Sequence, residues 1–182
     1  MNKHEQTKMQ KRIEGLNLLV NLIWSFIFLF PLVAFCYTKM PRNWLVISLL
    51  ISLLAVFVPA SFFSAYQVSK SRLFYKKIGI EFFNRFTQNG TLLNRLVKNN
   101  FPEYKRFQTK EEAFKKLFNQ TFMFEKFHLI VCIFFIETTV FAFINSYYYW
   151  VAFFIAGNVI YNVYPMLLQQ YIRLRLTAFK RQ

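Results

Sequence analysis

Aspartate is absent from the 182 residues; all eight acidic side chains are glutamates. That excludes chemistry built on aspartate: paired-Asp metal sites, DxD sugar-nucleotide sites and the His-x4-Asp motif of one acyltransferase class. Cysteine occurs twice, as Cys36 and Cys132. Both lie inside apolar runs and read as small buried hydrophobes rather than a disulfide or a metal pair. Glycine is scarce, with four residues, and no pair of interrupted apolar segments marks the broken helices of a transporter. Lysine and arginine are missing from residues 127–172. No motif asks for a metal or for any other cofactor.

What the chain has instead is apolar bulk. Hydrophobic residues make up 55%, and 25 residues are Phe. A soluble domain of this size cannot bury that much apolar surface, and the long uncharged runs make this an all-α integral membrane protein. The formal net charge is +15, but the cations cluster at span ends, in residues 1–15, 67–126 and 171–182. Cytoplasmic segments of membrane proteins carry such an excess. The basicity therefore reads as topology beside anionic lipid rather than as a nucleic-acid surface.

The expected architecture is a single membrane domain over residues 1–182, with about four transmembrane helices at 16–37, 44–66, 127–145 and 150–168. A basic cytoplasmic helical segment, 67–126, separates spans two and three. Four crossings leave both termini cytoplasmic, with Lys39 and Arg42 as a minor exception outside. Pro59 should kink the second span. The amphipathic pieces SRLFYKKIGIEFFNRF and TLLNRLVKNN should lie on the cytoplasmic face with their rings among the head groups. Thr109 and Glu112 form a capping box, so a helix should start near Lys110 and run through Phe143. No chemistry is apparent in residues 1–66, and His4, in the polar N-terminal tail, has no expected role.

Two polar stripes stand out. At 100° per residue, Thr121, Glu125, His128 and Cys132 share one face of the third span. Asn158, Asn162, Pro165, Gln169 and Arg173 share a face of the fourth. In an antiparallel hairpin His128 comes level with Gln169 near the cytoplasmic boundary. Polar groups at that depth must face protein or a wet cavity. Asn158 on its own is accounted for by interhelical hydrogen bonding. Glu125, one turn from His128, can fix the imidazole tautomer and raise its basicity, the supporting half of a general base. Glu137 is an acid deeper in the same span, on another face. The same stripes could instead bind a larger membrane partner, which would make the chain a small non-enzymatic subunit.

Three stretches carry a family resemblance. Residues 74–95, FYKKIGIEFFNRFTQNGTLLNR, fit Y-x-K-x-G-I-x-x-(F/W). TFMFEKFH fits T-x-x-x-E-x-x-H before an apolar run. NVYPMLLQQYIRLRL, residues 162–176, fits N-x-Y-P-x3-Q-R-Y-N-R-x-R. Over about residues 70–176 the chain resembles the glycosyl-4,4'-diaponeurosporenoate acyltransferases, small bacterial membrane enzymes of carotenoid biosynthesis. It departs from them at Gln170, where Arg is usual, at Ile172, where Asn is usual, and at Leu174, where Pro is frequent.

The resemblance implies transfer of a fatty acyl group from a coenzyme A or carrier-protein thioester to a hydroxyl of a glycosylated carotenoid or related lipid, at a bacterial inner membrane. It implies His128 as general base with Glu125 orienting it. Thr121, Asn162, Tyr164, Gln169, Tyr171, Arg173 and Arg175 are the matching substrate-side positions. Of these, Asn162, Gln169 and Thr121 would hold the sugar or the oxyanion, and Arg173 and Arg175 would hold donor phosphates. Cys132 would be a conceivable but inert nucleophile.

Overall fold

The computed structural model describes residues 3–87, 90–100 and 110–180. All its regular elements are helical. The capping-box residue Thr109 and the breakers Asn89 and Pro102 lie outside the described residues.

Helix α1 runs Lys3–Lys39, 37 residues or about 55 Å, so the polar N-terminal stretch continues the same helix as the first apolar run. Pro41 precedes α2, Arg42–Leu53, which passes into a 3-10 turn at Leu54–Phe57. The second apolar run is not one continuous helix. Pro59 has no N–H and pushes Val58 out of the helical region, to φ −64° and ψ 120°. Lys126 donates to the Val56 carbonyl left at this break, at 2.8 Å. The chain then restarts as α3, Ala60–Ala65.

Three short helices follow: α4, Arg72–Lys77, α5, Ile80–Phe83, and α6, Thr91–Asn100. Gly79 joins α4 to α5 at φ +80°, a left-handed conformation that suits only glycine well. Helix α7, Lys110–Ile144, forms a hairpin with α8, Tyr148–Asn158. The turn is a Schellman cap: Tyr147 N–H reaches the Ala142 carbonyl at 2.8 Å and Ser146 N–H the Phe143 carbonyl at 3.0 Å. Helix α8 passes through a π-helical segment, Val159–Val163, into α9, Tyr164–Lys180.

Three stretches are long and apolar enough to cross a membrane: Thr7–Lys39, Phe114–Ile144 and Tyr148–Ala178. The apolar stretch Arg42–Phe57 is shorter. The described residues are thus all-α, with three apolar helices able to span a membrane and a further apolar run shortened by proline.

Helix α7 is the centre of the bundle, packed on α2, α8 and α9. Ser48, Ser52 and Ala55 are buried; such small side chains let two helix backbones approach closely. One core joins α1, α7 and α8 around Phe35, whose ring meets Phe141, Tyr147, Trp150 and Phe154. A second core docks α4 and α5 on α9 through Tyr75, Ile80, Leu168 and Tyr171. The first amphipathic piece therefore docks on the bundle and does not rest on lipid alone, although Leu73, Phe82 and Phe86 remain exposed. Bands of exposed Leu, Ile, Val and Phe along α1, α2 and α7 are what a lipid-facing surface requires and a soluble monomer avoids.

Candidate functional site

The structure divides the expected polar stripe of α7 between two neighbouring sites. Thr121 and His128 line a cavity of about 450 Å³ between α1, the α5 region, α7 and α9. Gln169 lines it from α9, together with Pro165. Glu125 is on its other side.

Both oxygens of Glu125 are bound by α9. Oε1 accepts from Gln170 Nε2 at 2.8 Å, and Oε2 accepts from Arg173 Nη1. Arg173 also donates to the Phe63 carbonyl at 3.1 Å and lies over the Phe122 ring. Glu125 is 1% exposed and Arg173 4%. This is a buried ion pair tying α3, α7 and α9 together. It departs from the expected roles in two ways. Glu125 is held by α9 rather than by the imidazole, and Arg173 neutralises Glu125 rather than waiting for a donor phosphate. Taking either charge out of water unpaired would be prohibitive, and pairing is the arrangement that lets both stay buried.

Gln170, a departure from the family pattern, completes this network. Its Oε1 accepts from the Val68 N–H at 3.1 Å and the Tyr75 hydroxyl at 2.9 Å. The Tyr75 hydroxyl also lies 3.0 Å from the Ser69 carbonyl. An arginine at 170 could not accept those two bonds. Burial pushes the Tyr75 phenol up.

His128 is half-buried. Its Nδ1 is buried with no hydrogen-bond partner among the described residues; the Asn162 side chain and the Tyr161 main chain face the ring. The Tyr161 ring stands edge-on to it, centroids 5.9 Å apart. Pro165 explains the local backbone. It offers no N–H to the Tyr161 carbonyl four residues earlier, and the helix widens into the π segment just there. Such segments recur at functional sites. Asn162 Nδ2 donates to Asn158 Oδ1 at 2.8 Å, and Asn158 Nδ2 to the Cys132 carbonyl at 3.2 Å. The two asparagines fasten the widened helix to α7.

The remaining expected positions sit beside helices α4 and α5. The Tyr164 hydroxyl donates to the Ile78 carbonyl at 3.2 Å, and the Tyr171 hydroxyl to Glu81. That bond, with Lys76 3.3 Å away, holds the Glu81 carboxyl below the usual carboxylate range. Arg175 is exposed and lies over the Tyr171 ring at 5.7 Å. Glu137 is half-buried, its Oε2 without a partner among the described residues. Cys132 is buried outside the cavity lining. Among the described residues no cluster of His, Cys or Glu could hold a metal.

Sequence reading missed three groups here: Gln170, Tyr75, and the side of α1 that walls the cavity with Asn21, Trp24 and Ser25. The α1 residues could have been found, because their spacing of three and four along an apolar helix is the same stripe signal as on α7.

Of the stripe residues, Glu125, Asn162 and Arg173 are buried against the chain's own helices, while Thr121, His128 and Gln169 line the cavity. No curated protein and no solved structure matches the chain. A family profile does, across residues 59–182, which takes in the buried ion pair, His128, the π segment and the docked helices α4 and α5. On that match the chain belongs to the glycosyl-4,4'-diaponeurosporenoate acyltransferase family.

Proposed function

We propose that the chain transfers a fatty acyl group from a thioester, carried by coenzyme A or a carrier protein, to a sugar hydroxyl of a glycosylated carotenoid in a bacterial cell membrane. The observation that carries this reading is His128 on the wall of a cavity that is apolar apart from a few amides and hydroxyls, two residues past Lys126, the last cation before the run free of Lys and Arg.

In this mechanism the imidazole takes the proton as the sugar oxygen attacks the thioester carbonyl. The carbon–sulfur bond breaks and the ester forms. The thiolate leaves and takes the proton back from the imidazolium. A positioned base contributes roughly 10²–10⁴-fold. The Thr121 hydroxyl is already donated to the Phe118 carbonyl at 2.7 Å, so Gln169 is the stronger candidate to hold the sugar or the developing oxyanion. Glu125 and Arg173 support the site by fixing α7 against α9. Arg175, exposed beside α4 with its Arg72, Lys76 and Lys77, is the arginine left for donor phosphates. Both termini lie in the cytoplasm, with α2 and α3 crossing as a broken helix.

The test is acyl transfer by membranes bearing the chain, with labelled acyl-coenzyme A and glycosyl-4,4'-diaponeurosporenoate, products read by mass spectrometry. His128→Gln is expected to lower the rate by roughly 10²–10⁴-fold at equal membrane level. A rate within threefold of wild type would remove His128 as the base. No acylated product from wild type would remove the reaction.

A further inference from the structure

The family match begins at residue 59, yet the cavity does not. Its lining includes Asn21, Trp24 and Ser25 of α1. The spacing of three and four places these three on one face of the helix, and two are held in place by bonds to the far wall. Trp24 Nε1 donates to the Phe86 carbonyl at 3.0 Å, and the Ser25 hydroxyl is 2.9 Å from that of Tyr161. Tyr161 in turn stands against His128. A chain of contacts therefore runs from α1 to the imidazole.

The second observation is electrostatic. The chain has 23 Lys and Arg and a net charge of +15, but none of the described residues lining this cavity is Lys, Arg or Glu. A phosphate buried there would have no cation to meet it. Hydroxyls would meet amides and hydroxyls, the groups that bind uncharged polyols.

We propose that α1 selects the acceptor: Asn21, Trp24 and Ser25 form the wall that reads an uncharged sugar head group and rejects a phosphate-bearing one. This deepens the acyltransferase reading and rests on it. Asn21 and Ser25 discriminate among sugar hydroxyls, because a polar group built to meet a hydroxyl loses its partner when the hydroxyl is moved. Trp24, stacked on Phe28 and tilted against Phe83, presents its ring edge to the cavity and bounds the space the sugar can fill.

The experiment has two arms in lipid nanodiscs. The first compares kcat/KM for dodecyl glucoside, dodecyl galactoside and lysophosphatidylglycerol, each with free hydroxyls. Wild type is expected to prefer one glycoside over the other and to use lysophosphatidylglycerol about a hundredfold less well. Asn21→Leu and Ser25→Ala should compress the glycoside ratio about tenfold. Leu22→Ala, on the lipid-facing side of the same helix and 57% exposed, should leave the ratio unchanged. Variants that slow all acceptors equally, or equal use of lysophosphatidylglycerol, would overturn the proposal. The second arm needs no turnover: dodecyl glucoside should change the tryptophan fluorescence of wild type and not of Trp24→Phe. Binding without transfer would refute the reaction and keep the site. Transfer without a signal from Trp24 would refute the site and keep the reaction.

Discussion

Arg173 is a cation taken out of water, and Glu125 is what makes that tolerable. Removing one partner should therefore hurt far more than removing both. Arg173→Met alone, leaving a buried bare carboxylate, is expected to cost about 3–5 kcal/mol, while Glu125→Met with Arg173→Met should recover most of that loss. Thermal unfolding of the two singles and the double, read as a cycle, checks this; additive losses would mean the pair does not interact. Glu81 behaves differently because its side chain is half exposed. Its folded carboxyl titrates below its unfolded value through the Tyr171 bond, so its contribution is present at neutral pH and disappears as pH falls through the folded value. The melting difference between wild type and Glu81→Gln should accordingly shrink in acid. A difference that persists unchanged would assign the effect to shape rather than charge. Both buried residues were legible from composition and periodicity as costly polar members of membrane helices. Their mutual pairing was not, because a stripe shows which face a residue occupies and never which of two neighbouring helices it meets.

Among the helices, the α8–α9 rod shows why one residue was missed. Periodicity assumes about 100° per residue throughout. The π segment Val159–Val163 absorbs an extra residue, and everything beyond it turns back by roughly that angle. Gln170 then occupies the direction expected of Gln169, which is how Gln170 meets Glu125 while Gln169 turns to the cavity. Pro165 was legible only as a member of the polar stripe; the wide turn it provokes was not. The α7 helix, by contrast, was legible nearly to its ends, since nothing in Lys110–Ile144 interrupts the rule. Packing between rods gives a contrast of two glycines. A Cβ on Gly157 would stand 3.2 Å from Phe28 and 3.3 Å from Phe135, whereas one on Gly15 meets nothing within 4 Å. Gly157→Val is expected to destabilise by about 1–3 kcal/mol, and Gly15→Ala to stabilise α1 by up to about 1 kcal/mol. Equal melting shifts for the two would contradict the packing of α1 and α7 against α8.

At the scale of the whole molecule, apolar runs and cation clusters made the class and the order of the helices readable, while the state of the second run depended on a single proline. Whether that broken run crosses decides the parity of the chain. A reporter fused at each terminus and a single labelling cysteine at Ser146, on a background lacking Cys36 and Cys132, tests it. Both termini are expected on the cytoplasmic side and position 146 outside. Termini on opposite sides would mean that Arg42–Ala65 enters and returns without crossing.

The shortness of that run has a consequence for the lipid around it. Twelve residues of α-helix and four of 3-10 helix rise about 26 Å, against hydrocarbon of about 30 Å. If Arg42–Phe57 spans without the help of Ala60–Ala65, the adjacent leaflet must dip to meet it, with Lys126 anchored at the bottom of the dip on the Val56 carbonyl. The bilayer beside α7 would then be a ramp, down which an amphiphile could slide its head toward the protein while its tail stays in oil.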